Sequence, residues 1–288
     1  MDEIATMSPP ALPPDIATVV SRAIAEDLRD GDLTAELIAA TTQATARVIA
    51  REPATLCGTA WFDETFRQLD PRVSVAWHAA DGSQIAADSI VCELRGPARS
   101  IVTGERTALN FLQTLSGTAT VTRTYADLVM GSRARILDTR KTLPGLRLAQ
   151  KYAVRCGGGD NHRSGLFDAV LIKENHIAAV GSVTAAVAAA RRQSPQVMIE
   201  VEVETLAQLT EALATDADRI MLDDFSLDDM RRAVAQRDSH TGKRQELEAS
   251  GSVDAAKLKA VAATGVDFIS IGAITKHVRA TDFSMRFV

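Results

Sequence analysis

The 288-residue sequence predicts an α/β protein, in which an incomplete (β/α) barrel follows an N-terminal α+β sandwich domain. Two observations favour this class. Short β-branched runs alternate with amphipathic helical segments in the second half of the chain, which is typical of parallel βαβ units. Most of these runs also end in polar or small residues, as the catalytic strand ends of barrels do. A doubly wound sheet is the alternative, but no strand is followed by its GxGxxG turn.

Composition and charge restrict the class of protein further. Hydrophobic residues make up 46% of the chain and charged residues 24%, as in a soluble globular protein. The formal net charge of −5 argues against nucleic acid or an anionic membrane as a partner. The three cysteines lack the spacing of a zinc site, and no apolar run reaches the roughly 18 residues of a membrane span. We therefore expect a cytoplasmic protein.

Residues 1–116 are expected to form the N-terminal α+β domain, joined by the C-terminal residues 276–288. The C-terminal residues alternate between apolar and polar side chains, as in a strand. The other predicted elements of this domain are a helix after Asp15, short strands at Ala46–Ile49 and Val73–Trp77, and a long helix over Ile101–Met130.

Residues 117–275 are expected to form the barrel domain. Six strands are fewer than the eight of a closed barrel, so we expect a shortened or partly open one. The predicted strands are Arg135–Asp138, Ala169–Lys173, Val197–Val203, Arg219–Asp223, Glu246–Ser250 and Asp267–Ile271. The clearest helices between them are Val183–Arg192, Leu206–Ala214, Asp228–Gln236 and Asp254–Ala263.

A cluster of cations lies along the start of the barrel domain. From Arg133 to Lys173 the chain carries nine Arg or Lys residues against three Asp, an excess of six in a net-acidic protein. Arg140 and Lys141 adjoin a strand end, where neighbouring side chains are expected to point to different sides. A solvated basic face is the alternative. We favour an anion-binding site, because Arg suits bidentate capture of carboxylate or phosphate.

Three consecutive glycines, Gly157 to Gly159, precede His162 and Arg163. One glycine is enough to end the preceding helix, so three predict a close approach of the backbone to a ligand or to a neighbouring subunit.

Acidic and small residues follow the later strands. Alternation places Glu200, Glu202 and Glu204 on one face of their strand, and Asp223 ends the next one. Near a barrel mouth such carboxylates are suited to a divalent cation bound to a diphosphate. For Glu200, a structural network with neighbouring cations is an equally good interpretation.

Small residues at the last two strand ends predict a phosphate cradle built from backbone N–H groups, although each alone is typical of a plain turn. They are Ser250, Gly251, Ser252 and Gly272.

Taken together, these motifs resemble the quinolinate phosphoribosyltransferases over nearly the whole chain. Two departures are visible: Asp224 stands where the family usually has Asn, and Ser252 where Asn or another polar residue is frequent. The motifs that carry the resemblance are Gly104–Asn110, Leu137–Thr142, Gly157–Arg163, Leu171–His176, Glu200–Glu204, Ile220–Asp223 and Gly265–Ser270.

The resemblance implies transfer of phosphoribose from phosphoribosyl pyrophosphate to quinolinate in NAD biosynthesis, with loss of CO2 and a requirement for Mg²⁺. It also implies a homodimer in which Arg106 acts in trans. Lys141, Glu202 and Asp223 would be catalytic, with Lys141 facing the diphosphate and the two acids as metal ligands. The implied substrate-binding residues are Arg106, Arg140, His162, Arg163 and Lys173 for the dicarboxylate, and Ser250, Gly251 and Gly272 for the 5′-phosphate.

Two other functions are weighed against this one. A related phosphoribosyltransferase could take an acceptor with a single carboxylate, although the number of cations favours two. A non-catalytic phosphosugar-binding protein would need no metal-binding acids at the strand ends.

Overall fold

The computed structural model describes residues 10–251 and 253–288 of the chain. They divide into two units. The first contains the described residues up to Arg123 together with Thr142–Gly158 and Ile274–Val288, and the second contains Thr124–Lys141 and Gly159–Ala273. The predicted division at residue 116 stays a prediction. Within the described ranges, no helix is long and apolar enough to cross a membrane.

The elements are numbered in chain order. The strands are β1 (Gln43–Ala50), β2 (Ala54–Thr55), β3 (Ser74–Trp77), β4 (Gln84–Ile85), β5 (Ile90–Pro97), β6 (Arg135–Leu137), β7 (Ala169–Ile172), β8 (Met198–Val203), β9 (Arg219–Asp223), β10 (Glu246–Ser250), β11 (Phe268–Ser270) and β12 (Phe283–Phe287). The helices are α1 (Ile16–Leu28), α2 (Thr59–Leu69), α3 (Ala98–Leu128), α4 (Arg147–Cys156), α5 (Glu174–Val180), α6 (Val183–Gln193), α7 (Leu206–Leu213), α8 (Leu227–Ser239), α9 (Ala255–Ala262) and α10 (Ala273–Lys276).

The first unit is built on an antiparallel sheet with the strand order β12-β1-β5-β3. Alternation along β1 buries every second side chain, including Val48 and Ala50. These side chains share a core with Phe62 of α2 and Leu109 of α3. The C-terminal strand β12 pairs with β1, so the end of the chain completes this sheet.

Helix α4 packs with α1, α2 and α3 in the first unit, where the Trp61 and Tyr152 rings lie 5.4 Å apart. Its C-terminal end explains two of the three consecutive glycines. A Cβ atom on Gly157 would lie 2.5 Å from the carbonyl oxygen of Ala119 in α3, and Gly158 has a φ of +87°. The close approach predicted at these two positions is therefore made to a neighbouring helix.

The second unit is built on a six-stranded parallel sheet with the order β6-β11-β10-β9-β8-β7. The first strand of the unit thus pairs with the last, Ile136 opposite Ile269, as in a barrel. In the described ranges β6 and β7 do not pair with each other, which leaves the barrel open there. This confirms the predicted fold class, and all six predicted strands are present.

Helices alternate with these strands, and the four predicted helices are confirmed as α6 to α9. Ile199, Val201 and Val203 of β8 are completely buried, because β8 presents that face to the core between sheet and helices. Each of the four helices starts after a side chain that caps its first turn: Ser182 accepts from the N–H of Ala185, Thr205 from Gln208, Ser226 from Asp229 and Asp254 from Lys257. The short helices α5 and α10 were not predicted.

Candidate active site at the strand ends of the barrel

The carboxyl ends of the six parallel strands lie at one edge of the sheet, so residues that follow them meet there. The second unit carries all but one of the predicted site residues, on these strands or in the segments that follow them. They are Arg140, Lys141, His162, Arg163, Lys173, Glu202, Asp223, Ser250, Gly251 and Gly272.

A buried acid, Asp138, organises the cationic part of the site. It directly follows β6, and its two carboxylate oxygens accept from Asn161 Nδ2 at 2.6 Å and from the backbone N–H of His162 at 2.8 Å. Asp160 also forms a parallel bridge with Leu137 at the outer edge of β6. The segment that carries His162 and Arg163 is thereby fixed beside the end of β6.

Arg140 and Arg163 lie close enough for the charge of one to act on the other. Burial, and after it the positive charge of Arg140, hold the pKa of the Arg163 guanidinium below its ordinary value. Two guanidinium groups held in mutual repulsion favour an anion between them. The strand β6 ends at Leu137, so Arg140 and Lys141 lie in the following loop, and the prediction of alternating side chains on a strand does not apply to them.

Lys141 is held close to the end of β11. Its backbone N–H donates to Thr139 Oγ1 at 3.0 Å. Its side chain lies over Gly272, where an added Cβ atom would come within 2.8 Å of Lys141 Cδ. The absence of a side chain at Gly272 is therefore what lets the Lys141 stem lie across this strand end.

The predicted metal ligands lie on neighbouring strands. Glu202 on β8 is nearly buried, and its Oε2 lies 2.5 Å from Lys173 Nζ. Asp223 is the half-buried last residue of β9, which pairs with β8. The structure therefore brings these acids to adjacent strand ends and adds an ion pair with Lys173 that the sequence did not indicate.

The predicted phosphate cradle has an acidic neighbour. Gly251 has a φ of +138°, and a Cβ atom there would lie 2.5 Å from Asp224 Oδ1. Asp224 itself adopts a φ of 52°, and its N–H donates to the carbonyl of Ser250. The departure at Asp224 therefore places a carboxylate against Gly251, a residue of the predicted cradle. Ser252 lies outside the described residues.

Charged side chains also fill the barrel interior. Glu200 and Glu248 are completely buried, and His162 Nε2 lies 2.7 Å from Glu200 Oε2 and 3.7 Å from Glu248 Oε2. Arg219 NH1 lies 3.4 Å from the same oxygen of Glu248. Burial raises the pKa of Glu248 to about 8, helped by the charge of Glu200, and raises that of Glu200 to about 6.

Sequence reasoning did not single out Glu248 or Arg219. The available signal was the alternation of Glu246, Leu247, Glu248 and Ala249 on β10, which repeats the pattern of acids on β8. For Glu200, the structural-network interpretation agrees with its contact to His162, and the contact also joins it to a predicted substrate-binding residue.

Arg106, the remaining predicted residue, belongs to the first unit. It is an exposed residue of α3, and it lines a cavity together with Glu26 and Asp27 of α1. Phe111 and Leu115 form part of the apolar wall of this cavity.

The fold and the strand-end site define an α/β barrel protein with cationic and acidic side chains gathered at the carboxyl ends of its parallel strands. Two models of one protein family match the chain. That of the quinolinate phosphoribosyl transferase C-terminal domain matches residues 118–286, and that of the N-terminal domain matches residues 32–116. The chain therefore belongs to the quinolinate phosphoribosyltransferase family.

Individual proteins show the same relationship. The chain is 42% identical to the probable nicotinate-nucleotide pyrophosphorylase [carboxylating] of Bacillus subtilis, covering 90% of this chain and 89% of that protein. It is also 42% identical to the Mycobacterium leprae nicotinate-nucleotide pyrophosphorylase [carboxylating], covering 92% and 95% of the two chains. The solved structure of the Francisella tularensis nicotinate-nucleotide pyrophosphorylase superimposes with a TM-score of 0.93 at 46% identity, covering 98% and 100%.

Proposed function

We propose that the chain transfers phosphoribose from phosphoribosyl pyrophosphate to quinolinate, with release of pyrophosphate and CO2 and formation of nicotinate mononucleotide. Family membership supports this reaction, a step of NAD biosynthesis. The observation that carries it on the structure is that the charge of Arg140 acts on Arg163, and that a third cation, Lys173, directly follows the strand β7. Quinolinate has two adjacent carboxylates, and this group of cations matches that charge.

Different residues of the chain would carry out different steps of the reaction. Arg140, Arg163 and Lys173 would bind the two carboxylates and hold the pyridine nitrogen towards C1 of the ribose, which lowers the barrier by orientation. Lys141 would stabilise the negative charge that develops on the departing diphosphate. After transfer the ring is a pyridinium and can itself accept the electrons left by CO2, so this step needs no organic cofactor.

The acids Glu202 and Asp223 fit a Mg²⁺ ion. Carboxylate oxygens are the ligands that Mg²⁺ takes from proteins, and these two residues lie towards the carboxyl ends of the neighbouring strands β8 and β9. Mg²⁺ bound there would neutralise part of the diphosphate charge. Ser250, Gly251 and Gly272 would receive the 5′-phosphate through backbone N–H groups.

The homodimer with Arg106 acting in trans is part of the same proposal and has a direct test. Arg106→Ala and Lys141→Ala variants, each inactive alone, should regain activity when mixed and allowed to exchange subunits. With random exchange, half of the dimers carry one intact site, so about a quarter of the wild-type activity should return. If Arg106 acts within its own subunit, mixing restores nothing.

The reaction itself is tested by incubating the protein with phosphoribosyl pyrophosphate, Mg²⁺ and either quinolinate or nicotinate. Quinolinate should give nicotinate mononucleotide and CO2 in equal amounts, and omission of Mg²⁺ should abolish turnover. A lack of CO2 release with quinolinate would refute the proposal.

A matched pair of variants tests the site. Removing a charged hydrogen bond costs about 1.5–3 kcal/mol, so Arg140→Ala should weaken quinolinate binding roughly 10- to 150-fold. Arg133→Ala removes the same charge from a largely exposed side chain before β6 and should leave binding unchanged.

A further inference from the structure

The interior of the barrel is charged where barrels are normally filled by branched apolar side chains. Glu200 and Glu248 are fully buried, and Arg219 and His162 are each 8% exposed. Burying such groups is costly unless they compensate one another. The arrangement of these four side chains therefore needs an explanation beyond stability.

The two carboxyl groups lie close to each other and to the imidazole. One oxygen of each acid and one nitrogen of His162 all lie within 4.8 Å of one another. Among the described residues, Glu248 Oε1 has no hydrogen-bond partner, and the nearest charged group to Glu200 Oε2 is His162 Nε2 at 2.7 Å. Two ionised carboxylates at this separation would repel each other strongly in a medium of low dielectric constant.

The permanent positive charges beside the two acids are shared with other carboxylates. Arg219 is shared, because its guanidinium also pairs with Glu246 Oε2 at 2.9 Å. His162 Nδ1 accepts the backbone N–H of Arg163 at 2.7 Å, which leaves Nε2 as the ring nitrogen that faces both acids. The charge of Arg163 acts on Glu200, but it also acts on Asp168, so two ionised carboxylates side by side in the interior would still repel each other.

We propose that Glu248 is a positioning residue that retains its proton inside the barrel. It thereby holds Glu200 against His162 and avoids a second buried negative charge beneath the quinolinate site. This inference rests on the proposed function, since His162 is there a quinolinate-binding residue. The elevated pKa of Glu248, about 8, agrees with its retaining the proton at neutral pH.

The charged and titratable groups that face Glu248 come from three neighbouring elements. They are Glu200 on β8, Arg219 on β9 and His162 after β6, and β11 adds the hydroxyl of Ser270. Glu200 is faced in addition by Glu202 and Arg163. Loss of the proton above pH 8 would add a negative charge below a dianionic acceptor. Quinolinate affinity should therefore fall, whereas affinity for phosphoribosyl pyrophosphate should not follow the same titration.

The experiment compares the wild type with Glu248→Gln and with the matched control Glu246→Gln. The control removes the same charge two residues earlier on β10, from a carboxylate that is 43% exposed. The KM for quinolinate and the KM for phosphoribosyl pyrophosphate are measured from about pH 6.5 to about pH 9.5. Because one proton is lost, the wild-type KM for quinolinate should rise about tenfold per pH unit above the pKa of Glu248.

Glutamine mimics the protonated acid, so Glu248→Gln should bind quinolinate well at neutral pH and lose this alkaline rise, while Glu246→Gln should keep it. A wild type without the rise, or a Glu248→Gln variant that retains it, overturns the inference. Turnover of quinolinate by the wild type reports separately on the proposed function.

If Glu248→Gln does not fold, wild-type protein labelled with ¹³C at the glutamate carboxyls supplies the second measurement. One buried glutamate should titrate near pH 8 by NMR. The absence of any glutamate that titrates above about pH 7 would equally overturn the inference.

Discussion

Gly272→Ala perturbs the site through a single methyl group. The added Cβ atom would lie 2.8 Å from Lys141 Cδ, whereas ordinary van der Waals contact begins at 3.4 Å. The Lys141 stem must therefore move by roughly 0.6 Å, because the shorter separation is strongly repulsive. Gly272 does not have a positive φ, so alanine brings no backbone strain of its own.

The size of the effect follows from that displacement. A 1 Å misplacement of a catalytic group can cost about 100-fold in rate, so a shift of roughly 0.6 Å in Lys141 should cost about tenfold in kcat. The free energy of unfolding should change by less than about 1 kcal/mol, since a flexible lysine stem absorbs the contact. Steady-state release of pyrophosphate measures the first quantity, and urea unfolding measures the second.

A double-mutant cycle decides whether the effect acts through Lys141. If it does, Gly272→Ala adds nothing to Lys141→Ala, because the displaced group is already absent. Equal losses from Gly272→Ala in the presence and absence of Lys141 would refute this explanation.

Three further expectations concern the same fold. Arg237→Ala removes a buried guanidinium that pairs with Asp267, so the free energy of unfolding in urea should fall by about 3–5 kcal/mol; a loss below about 1 kcal/mol would contradict a buried pair. The pKa of Glu248 is raised from 4.5 to about 8, so the protonated carboxyl favours the folded state. This contribution to the free energy of unfolding is complete below pH 4.5 and is lost as the pH rises from 4.5 to 8. Glu248→Gln should therefore gain stability relative to the wild type over that interval in pH-dependent unfolding; a constant difference would count against it. The three cysteines, Cys57, Cys92 and Cys156, are buried, and burial raises the pKa of the Cys57 and Cys92 thiols. A thiol reagent should therefore modify none of the three in the native protein and all of them after denaturation.

The strand ends were predictable because their signal is local. A buried run that ends at a polar residue, as at Glu204 or Asp223, reflects a strand that is buried along its length and ends at the barrel mouth. Residue type then indicated anion and metal chemistry, and the resemblance to a family assigned the substrates. These inferences required no knowledge of which strands are neighbours.

The sequence by itself therefore determined the order of strands and helices, the position of the cations and acids at strand ends, and the family. Only the tertiary structure decided which charges meet. Glu248 becomes a neighbour of Glu200, His162 and Arg219 because β8, β9 and β10 lie side by side in the barrel, which no local pattern records. Gly157 is likewise explained by α3, a distant part of the chain that packs too closely against it for a side chain. Pairwise distances between remote segments depend on packing. They set both the free-energy cost of burying each charge and whether the buried group keeps its proton.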